Sequence, residues 1–269
     1  MGNGLSIERL ALPGASSNDP MGTLVRAGFT VKEICATKLD AKAKLKCTAA
    51  VFHGNCEDVA NTMQAWSGLN VRRLVGFEYP GYGWRKKLLL RNTLQEEEPS
   101  QAGILADIPQ QLEELRAVEG VEGVEGVEGV EGVEGGRVLV CGRSLGTFAA
   151  LRLAVRLGPK KCAGLLLVSP MLTAIATKLP PPLHRALAFM DLLDNESAAN
   201  LLDSAVPVLI IHGTADVVVP VSNARALRKV MPHAKLVELP GVGHNHVMNS
   251  DEAWKQINIF FERVAPINK

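Results

Sequence analysis

Ser144, Asp216 and His244 have the residue types and the chain order from which nucleophilic chemistry can be built. Ser144 centres the pentapeptide Gly142-Arg143-Ser144-Leu145-Gly146. An apolar run, Val138, Leu139 and Val140, precedes it, and a helix-compatible segment, FAALRLAVRL, follows. A serine on a sharp strand-to-helix turn is lifted out of the backbone, and flanking glycines leave room where a Cβ would collide with neighbouring chain. A hydroxyl is a poor nucleophile until an imidazole takes its proton, and the imidazole needs a carboxylate to fix its tautomer and stabilise the imidazolium.

The carboxylate is assigned to Asp216. A buried strand at residues 207–211 runs into Gly213-Thr214-Ala215-Asp216, which places the acid just past the strand's C-terminal end. Asp203 precedes that strand and Asp251 lies beyond the histidine, so neither fits as well. His244 follows a strand-like run at residues 235–239 and the turn Gly241-Val242-Gly243. His246 is the rival base. His244 is preferred because residues 245 and 246 are expected to enter the next helix. Neighbouring amides are expected to hold the oxyanion that forms on attack. Leu145, after the serine, supplies one. The other comes from the loop after a strand at residues 48–52, where Asn55 is the first candidate and Cys56 the next. His53, at that strand's end, reads as scaffold.

The motifs HGN (53–55), FEYPGYG (77–83), GRSLG (142–146), VSP (168–170), IHGTAD (211–216) and GVGH (241–244) together resemble the α/β-hydrolase superfamily. Within it the chain is most similar to the compact, membrane-associated branch that includes the protein depalmitoylases. That branch carries a comparable HGN, a Tyr-rich GYG loop, an IHG-x-x-D loop and a GHN segment. The similarity runs from about residue 47 to the end. It implies an α/β-hydrolase fold with a small cap, and a triad of Ser144, Asp216 and His244. The activity implied is cleavage of a fatty-acyl thioester or ester, with an S-acylated protein as the substrate, and no cofactor or metal. A lipid or small-molecule carboxylesterase would use the same residues. A non-catalytic binding protein of the same fold is the contrasting class. The chain before residue 48 is short, so the first strands of the usual eight-stranded sheet are expected to be reduced. The N-terminal cysteine cluster of some depalmitoylases is missing from these residues.

The elements that must position these residues alternate along the chain. Strands are expected near 31–37, 48–52, 73–77, 137–141, 164–168, 207–211 and 234–239, and helices at 59–67, 101–117, 147–157, 222–231 and 251–264. Continuously apolar strands separated by helices predict a mostly parallel sheet covered on both faces, with its site at the strands' C-terminal ends. Residues 1–27, rich in Gly, Pro, Ser and Asn, read as an irregular leader, and residues 28–269 as a single hydrolase domain. Residues 118–135 are six Val-Glu-Gly triplets. Their period of three suits neither helix nor strand, which predicts a solvated surface loop. Residues 169–190 follow the strand at 164–168; their apolar side chains suit either a small cap over an acyl chain or packing on the domain, and residues 84–90 combine Trp84, basic residues and leucines.

A net charge of +1 over 269 residues implies no bulk attraction to nucleic acid. Cys35, Cys47, Cys56, Cys141 and Cys162 lack metal-ligand spacing, and a reducing, cytoplasmic compartment is expected. No apolar run reaches the length of a membrane span. Met1-Gly2-Asn3-Gly4-Leu5-Ser6 fits the N-myristoylation pattern, with Gly2 as the acceptor. One such chain anchors only marginally, so reversible peripheral membrane contact is the most that it implies.

Overall fold

The structure is a computed structural model that describes residues 19–55, 57–85, 100–119, 137–173 and 193–265. Gly2, Cys56, most of the Val-Glu-Gly repeat and residues 174–192 of the cap lie outside the described residues.

The chain opens with α1 (Pro20–Arg26), β1 (Thr30–Val31), β2 (Cys35–Leu39), β3 (Leu45–Phe52), α2 (Val59–Trp66) and β4 (Val71–Phe77). It continues with α3 (Gln101–Ala106), α4 (Ile108–Glu119), β5 (Val138–Arg143), α5 (Gly146–Lys161) and β6 (Cys162–Val168). It closes with α6 (Asn195–Asn200), β7 (Val208–Gly213), α7 (Ser222–Val230), β8 (Lys235–Leu239), a 3₁₀ turn (His244–Asn249) and α8 (Asp251–Val264). One eight-stranded sheet runs in the order β1-β2-β4-β3-β5-β6-β7-β8. Strand β2 is antiparallel to both neighbours and β3 to β8 are mutually parallel.

Strand alternation splits the core into two layers. Val140, Leu165, Leu167 and Ile210 face one side, with Phe148 and Leu151 of α5 and Leu227 of α7. Leu139, Cys141, Leu166, Val168 and Ile211 face the other, with Met63 and Trp66 of α2 and Ile257 and Phe261 of α8. Because both faces are covered, β5 and β6 are buried at every residue. That is why they read as unbroken apolar runs instead of alternating ones.

Four expectations are corrected. Residues 31–37 do not form one strand: the chain turns back, with Lys32 N–H donating to the Cys35 carbonyl at 2.8 Å, and β1 and β2 form an antiparallel pair. The sheet keeps eight strands, and only β1, two residues long, is stunted. The leader is not irregular throughout, because residues 20–26 are α1. Asp19 caps it by accepting from Gly22 N–H at 3.0 Å, Pro20 opens it, and Leu24 is buried. The helix expected at 101–117 is two. The chain breaks at Asp107, whose carboxylate pairs with Arg85, and Pro109 falls in the first turn of α4, where its missing N–H costs no hydrogen bond. Helix α4 also takes in residues 118 and 119, the first two of the repeat.

Candidate active site

Strand β5 delivers Ser144 and β7 delivers Asp216, both at the C-terminal edge of the sheet. The serine backbone has φ 50°, in the left-handed region, and its N–H donates to the Val168 carbonyl of β6 at 2.9 Å. A non-glycine residue held there is strained, and the surrounding packing holds it. Helix α5 leaves immediately. A Cβ on Gly146 would sit 2.3 Å from the Phe52 carbonyl oxygen, and one on Gly142 would sit 2.6 Å from that of Gly146. Both glycines are therefore demanded by close backbone approach, and α5 presses against the end of β3. That contact brings the His53–Asn55 loop beside the serine.

The acid and base loops are joined in a similar way. A Cβ on Gly213 would lie 2.1 Å from the Val242 carbonyl oxygen. Without one, the 241–243 turn lies across the end of β7. Ala215 N–H donates to the Val242 carbonyl at 3.1 Å, and Gly241 N–H to Thr214 Oγ1 at 3.0 Å. The turn releases the chain into the 3₁₀ segment at His244.

The resulting geometry is a continuous chain of polar contacts. His244 Nε2 is 3.1 Å from Ser144 Oγ, and His244 Nδ1 is 2.6 Å from Asp216 Oδ2. All three residues are buried. Asp216 Oδ1 accepts from Val218 N–H at 2.9 Å and Val219 N–H at 2.7 Å. His212 Nε2 lies 2.8 Å from the Val219 carbonyl oxygen and 3.2 Å from the other carboxylate oxygen of Asp216. Burial works against the charge on Asp216, but hydrogen bonds from His212, His244 and Val219 outweigh it and hold the carboxyl well below the usual carboxylate range. An ionised acid behind an imidazole whose far nitrogen faces a hydroxyl is an arrangement that can activate that hydroxyl.

The sequence-based site residues are distributed as follows. Ser144, His244 and Asp216 meet. His246 is exposed, and Asp203 is exposed and spends a carboxylate oxygen on Ala205 N–H. The 3₁₀ turn begins at His244 itself, one residue earlier than expected for the next helix. Leu145 follows the serine at the head of α5. Asn55 lies in the loop after β3, its side-chain oxygen accepting from Tyr82 Oη at 2.8 Å. His53 is locked in the scaffold: Nε2 meets Glu78 Oε1 at 2.8 Å and Nδ1 the Gly54 carbonyl at 2.8 Å. The neck of the cap is closed by a bridge between Thr173 and Asp194, and Asn195 Nδ2 donates to the Met171 carbonyl at 2.8 Å.

Four participants were not singled out from the sequence. His212 supports the acid. Arg143 pairs with Glu57, and its Nη2 donates to Asn245 Oδ1 at 3.0 Å. The Arg143 contact with Asn245 spans distant parts of the chain, and its only local hint was a charged residue flanking the serine; His212 lies one helical turn before its acid in sequence, on β7, where it reads as part of the strand. Burial lowers the Arg143 guanidinium from its ordinary value, opposed by the attraction of Asp216.

Comparison with known proteins agrees with this architecture. A family model described as TAP-like protein, Abhydrolase_4, matches residues 192–263. The alpha/beta hydrolase domain-containing protein 17C of Xenopus tropicalis is 27% identical over 223 residues, covering 81% of this chain and 63% of that one. Its Homo sapiens counterpart is also 27% identical, over 81% of this chain and 59% of its own length. The chain thus spans less than two thirds of the curated relatives it matches. Among solved structures, an esterase from Pyrococcus furiosus superposes with a TM-score of 0.58 at 15% identity, covering 88% of this chain and 90% of that one. A bacterial membrane phospholipase A gives 0.57 at 16% identity, covering 91% and 92%. Likeness at these identities shows the fold, which is that of the α/β hydrolases.

Proposed function

We propose that this member of the α/β-hydrolase superfamily is a serine hydrolase that cleaves fatty-acyl thioesters or esters, with an S-acylated (palmitoyl) protein as its substrate. The observation that carries the reading is the buried Ser144–His244–Asp216 chain. Ser144 Oγ attacks the acyl carbonyl carbon while His244 Nε2 takes its proton. The negative charge developing on the carbonyl oxygen is held by backbone amides, for which Leu145 and Asn55 are the candidates. Collapse expels the thiolate or alkoxide, which leaves with the proton from His244. Water, deprotonated by the same imidazole, then releases the fatty acid and restores Ser144. Asp216 stays ionised throughout and stabilises the imidazolium.

Exposed apolar side chains beside the acid support the acyl preference. Val217 and Val218 follow the acid and are 92% and 47% exposed. At the start of the cap segment Met171 and Leu172 pack on the core layer, and the leucines of residues 179–187 lie outside the described residues. Peripheral membrane contact through a myristoylated Gly2, on the cytoplasmic side, would bring such a site to acylated proteins. Among the described residues no helix is long and apolar enough to cross a membrane.

The test is labelling with a fluorophosphonate probe, followed by turnover of thioesters and esters of graded chain length. Labelling at Ser144 with thioester turnover that rises toward long chains supports the proposal. Turnover restricted to short esters would move the reading to a carboxylesterase. A folded protein that takes no label at Ser144 would remove it.

A further inference from the structure

Arg143 lies immediately before the nucleophile, yet its side chain does not turn to solvent. The residue is 8% exposed, and its guanidinium is shared between two loops. Nη1 forms an ion pair with Glu57 Oε1. Nη2 donates to Asn245 Oδ1 at 3.0 Å and reaches the His244 carbonyl oxygen at 3.5 Å. Glu57 in turn uses its second oxygen, Oε2, to accept from Gly54 N–H at 2.7 Å. A Cβ on Gly54 would lie 3.3 Å from Arg143 Nη1, so the guanidinium packs directly against that loop's backbone. The contacts run without a gap from Gly54 through Glu57 and Arg143 to Asn245 and His244. They join the loop after β3, the nucleophile turn and the base loop.

We propose that Arg143 is a positioning residue which, through Glu57 and Asn245, locks the His244 loop and the Gly54–Asn55 loop into one register around Ser144. The proposal rests on the serine-hydrolase reading. A planar guanidinium suits this role because it presents several fixed donors at once, so two loops can be held at a set separation; an ammonium is a point charge and holds one partner at a time. The pair is also self-contained. Arg143 and Glu57 neutralise each other, so the link adds no net charge beside the imidazolium that forms during turnover. The effect belongs in kcat, because a base displaced by about 1 Å from a hydroxyl lowers turnover by about a hundredfold without changing how substrate is held.

Five variants of the full chain test this: Arg143→Gln, Arg143→Lys, Glu57→Gln, the Arg143→Gln/Glu57→Gln double variant, and Asn245→Ala. Each is measured for kcat and KM on a long-chain thioester, rate of fluorophosphonate labelling at Ser144, and thermal midpoint. Arg143→Gln should lower kcat and the labelling rate together by about 30- to 100-fold, with KM changing less than about threefold. Glu57→Gln should act in the same direction. The double variant should be no worse than Arg143→Gln alone, because both residues belong to one link. Asn245 is exposed, so its replacement leaves folding intact, and it should lower kcat by about three- to tenfold. Arg143→Lys should recover only part of the loss.

Should Arg143→Gln fail to fold because the half-buried Glu57 is left without its partner, the double variant and Asn245→Ala decide the matter. Unchanged kcat in folded variants, single losses that multiply in the double, or a loss confined to KM would each overturn the proposal. A parent protein that labels at Ser144 while the variants label equally fast sinks this inference alone. A parent that does not label removes the hydrolase reading, and this inference with it.

Discussion

His53–Glu78 and His244–Asp216 are two buried histidine–carboxylate pairs at the same edge of one sheet, with ring-to-oxygen distances of 2.8 Å and 2.6 Å. In each, the carboxylate is fully buried and is further held by backbone N–H groups: Val59 for Glu78, Val218 and Val219 for Asp216. They differ in what the second ring nitrogen meets. For His53 it is the Gly54 carbonyl at 2.8 Å, a fixed backbone group that closes the network. For His244 it is Ser144 Oγ at 3.1 Å, a group that can give up its proton. A histidine–carboxylate pair is therefore scaffold where both nitrogens are tied to fixed acceptors, and chemical machinery where one faces a nucleophile.

The sharpest break in this comparison is at the nucleophile. Ser144→Ala should abolish thioester turnover and probe labelling, a loss on the order of 10⁴- to 10⁶-fold, while circular dichroism stays that of the parent. Peptide mapping that finds label on another serine would show that the wrong pair has been singled out.

Next comes the exchange of the two imidazoles for amides. His244→Gln should lower kcat by about 10³-fold or more, with a thermal midpoint within about 2 °C of the parent. His53→Gln should do the reverse. It leaves Glu78 with a poorer partner in a dry site and should destabilise by about 1–3 kcal/mol, while retaining activity within about 30-fold. If both variants lose activity equally without loss of stability, the distinction between scaffold and machinery does not hold.

The third test uses pH. Because Asp216 is held below the carboxylate range when folded, its charge contributes stability that is fully present above the unfolded value of about 3.9. That contribution is lost as pH falls from there through the folded value. The gap in thermal midpoint between the parent and Asp216→Asn should accordingly stay constant from pH 8 to about pH 5 and close only below about pH 4. A gap that closes near neutrality would mean that the carboxylate is not held as its hydrogen bonds suggest.

The smallest effect is expected at the third histidine of the region. His246 is exposed and two residues beyond the base, so His246→Ala should change kcat by at most about tenfold. A larger loss, with His244→Ala milder, would transfer the role of base to His246.

The parts of this molecule legible in its sequence are those set by short-range sterics and by burial. The Gly142–Gly146 turn is visible because a strand that must reverse into a helix within a few residues needs glycine where backbone meets backbone. The parallel sheet is visible because strands buried on both faces must be apolar throughout. The order of Ser144, Asp216 and His244 is visible because each follows a strand, a fully buried one for Ser144 and Asp216. Helix α1 was equally available, since Asp19 and Pro20 form a helix start, but the surrounding Gly, Pro and Ser residues hid it. The β1–β2 pair and the break at Asp107 were not visible, because a single apolar or helical period runs through both.

What the chain's pattern could not supply is which charged groups meet across the site. His53 finds Glu78 25 positions away, and Arg143 finds Asn245 102 positions away and Glu57 in the opposite direction. Nothing in the local sequence distinguishes a solvated arginine from a buried one. Only the sheet, by stacking the ends of β3, β5, β7 and β8 side by side and drying the space between their loops, decides that these groups must pair.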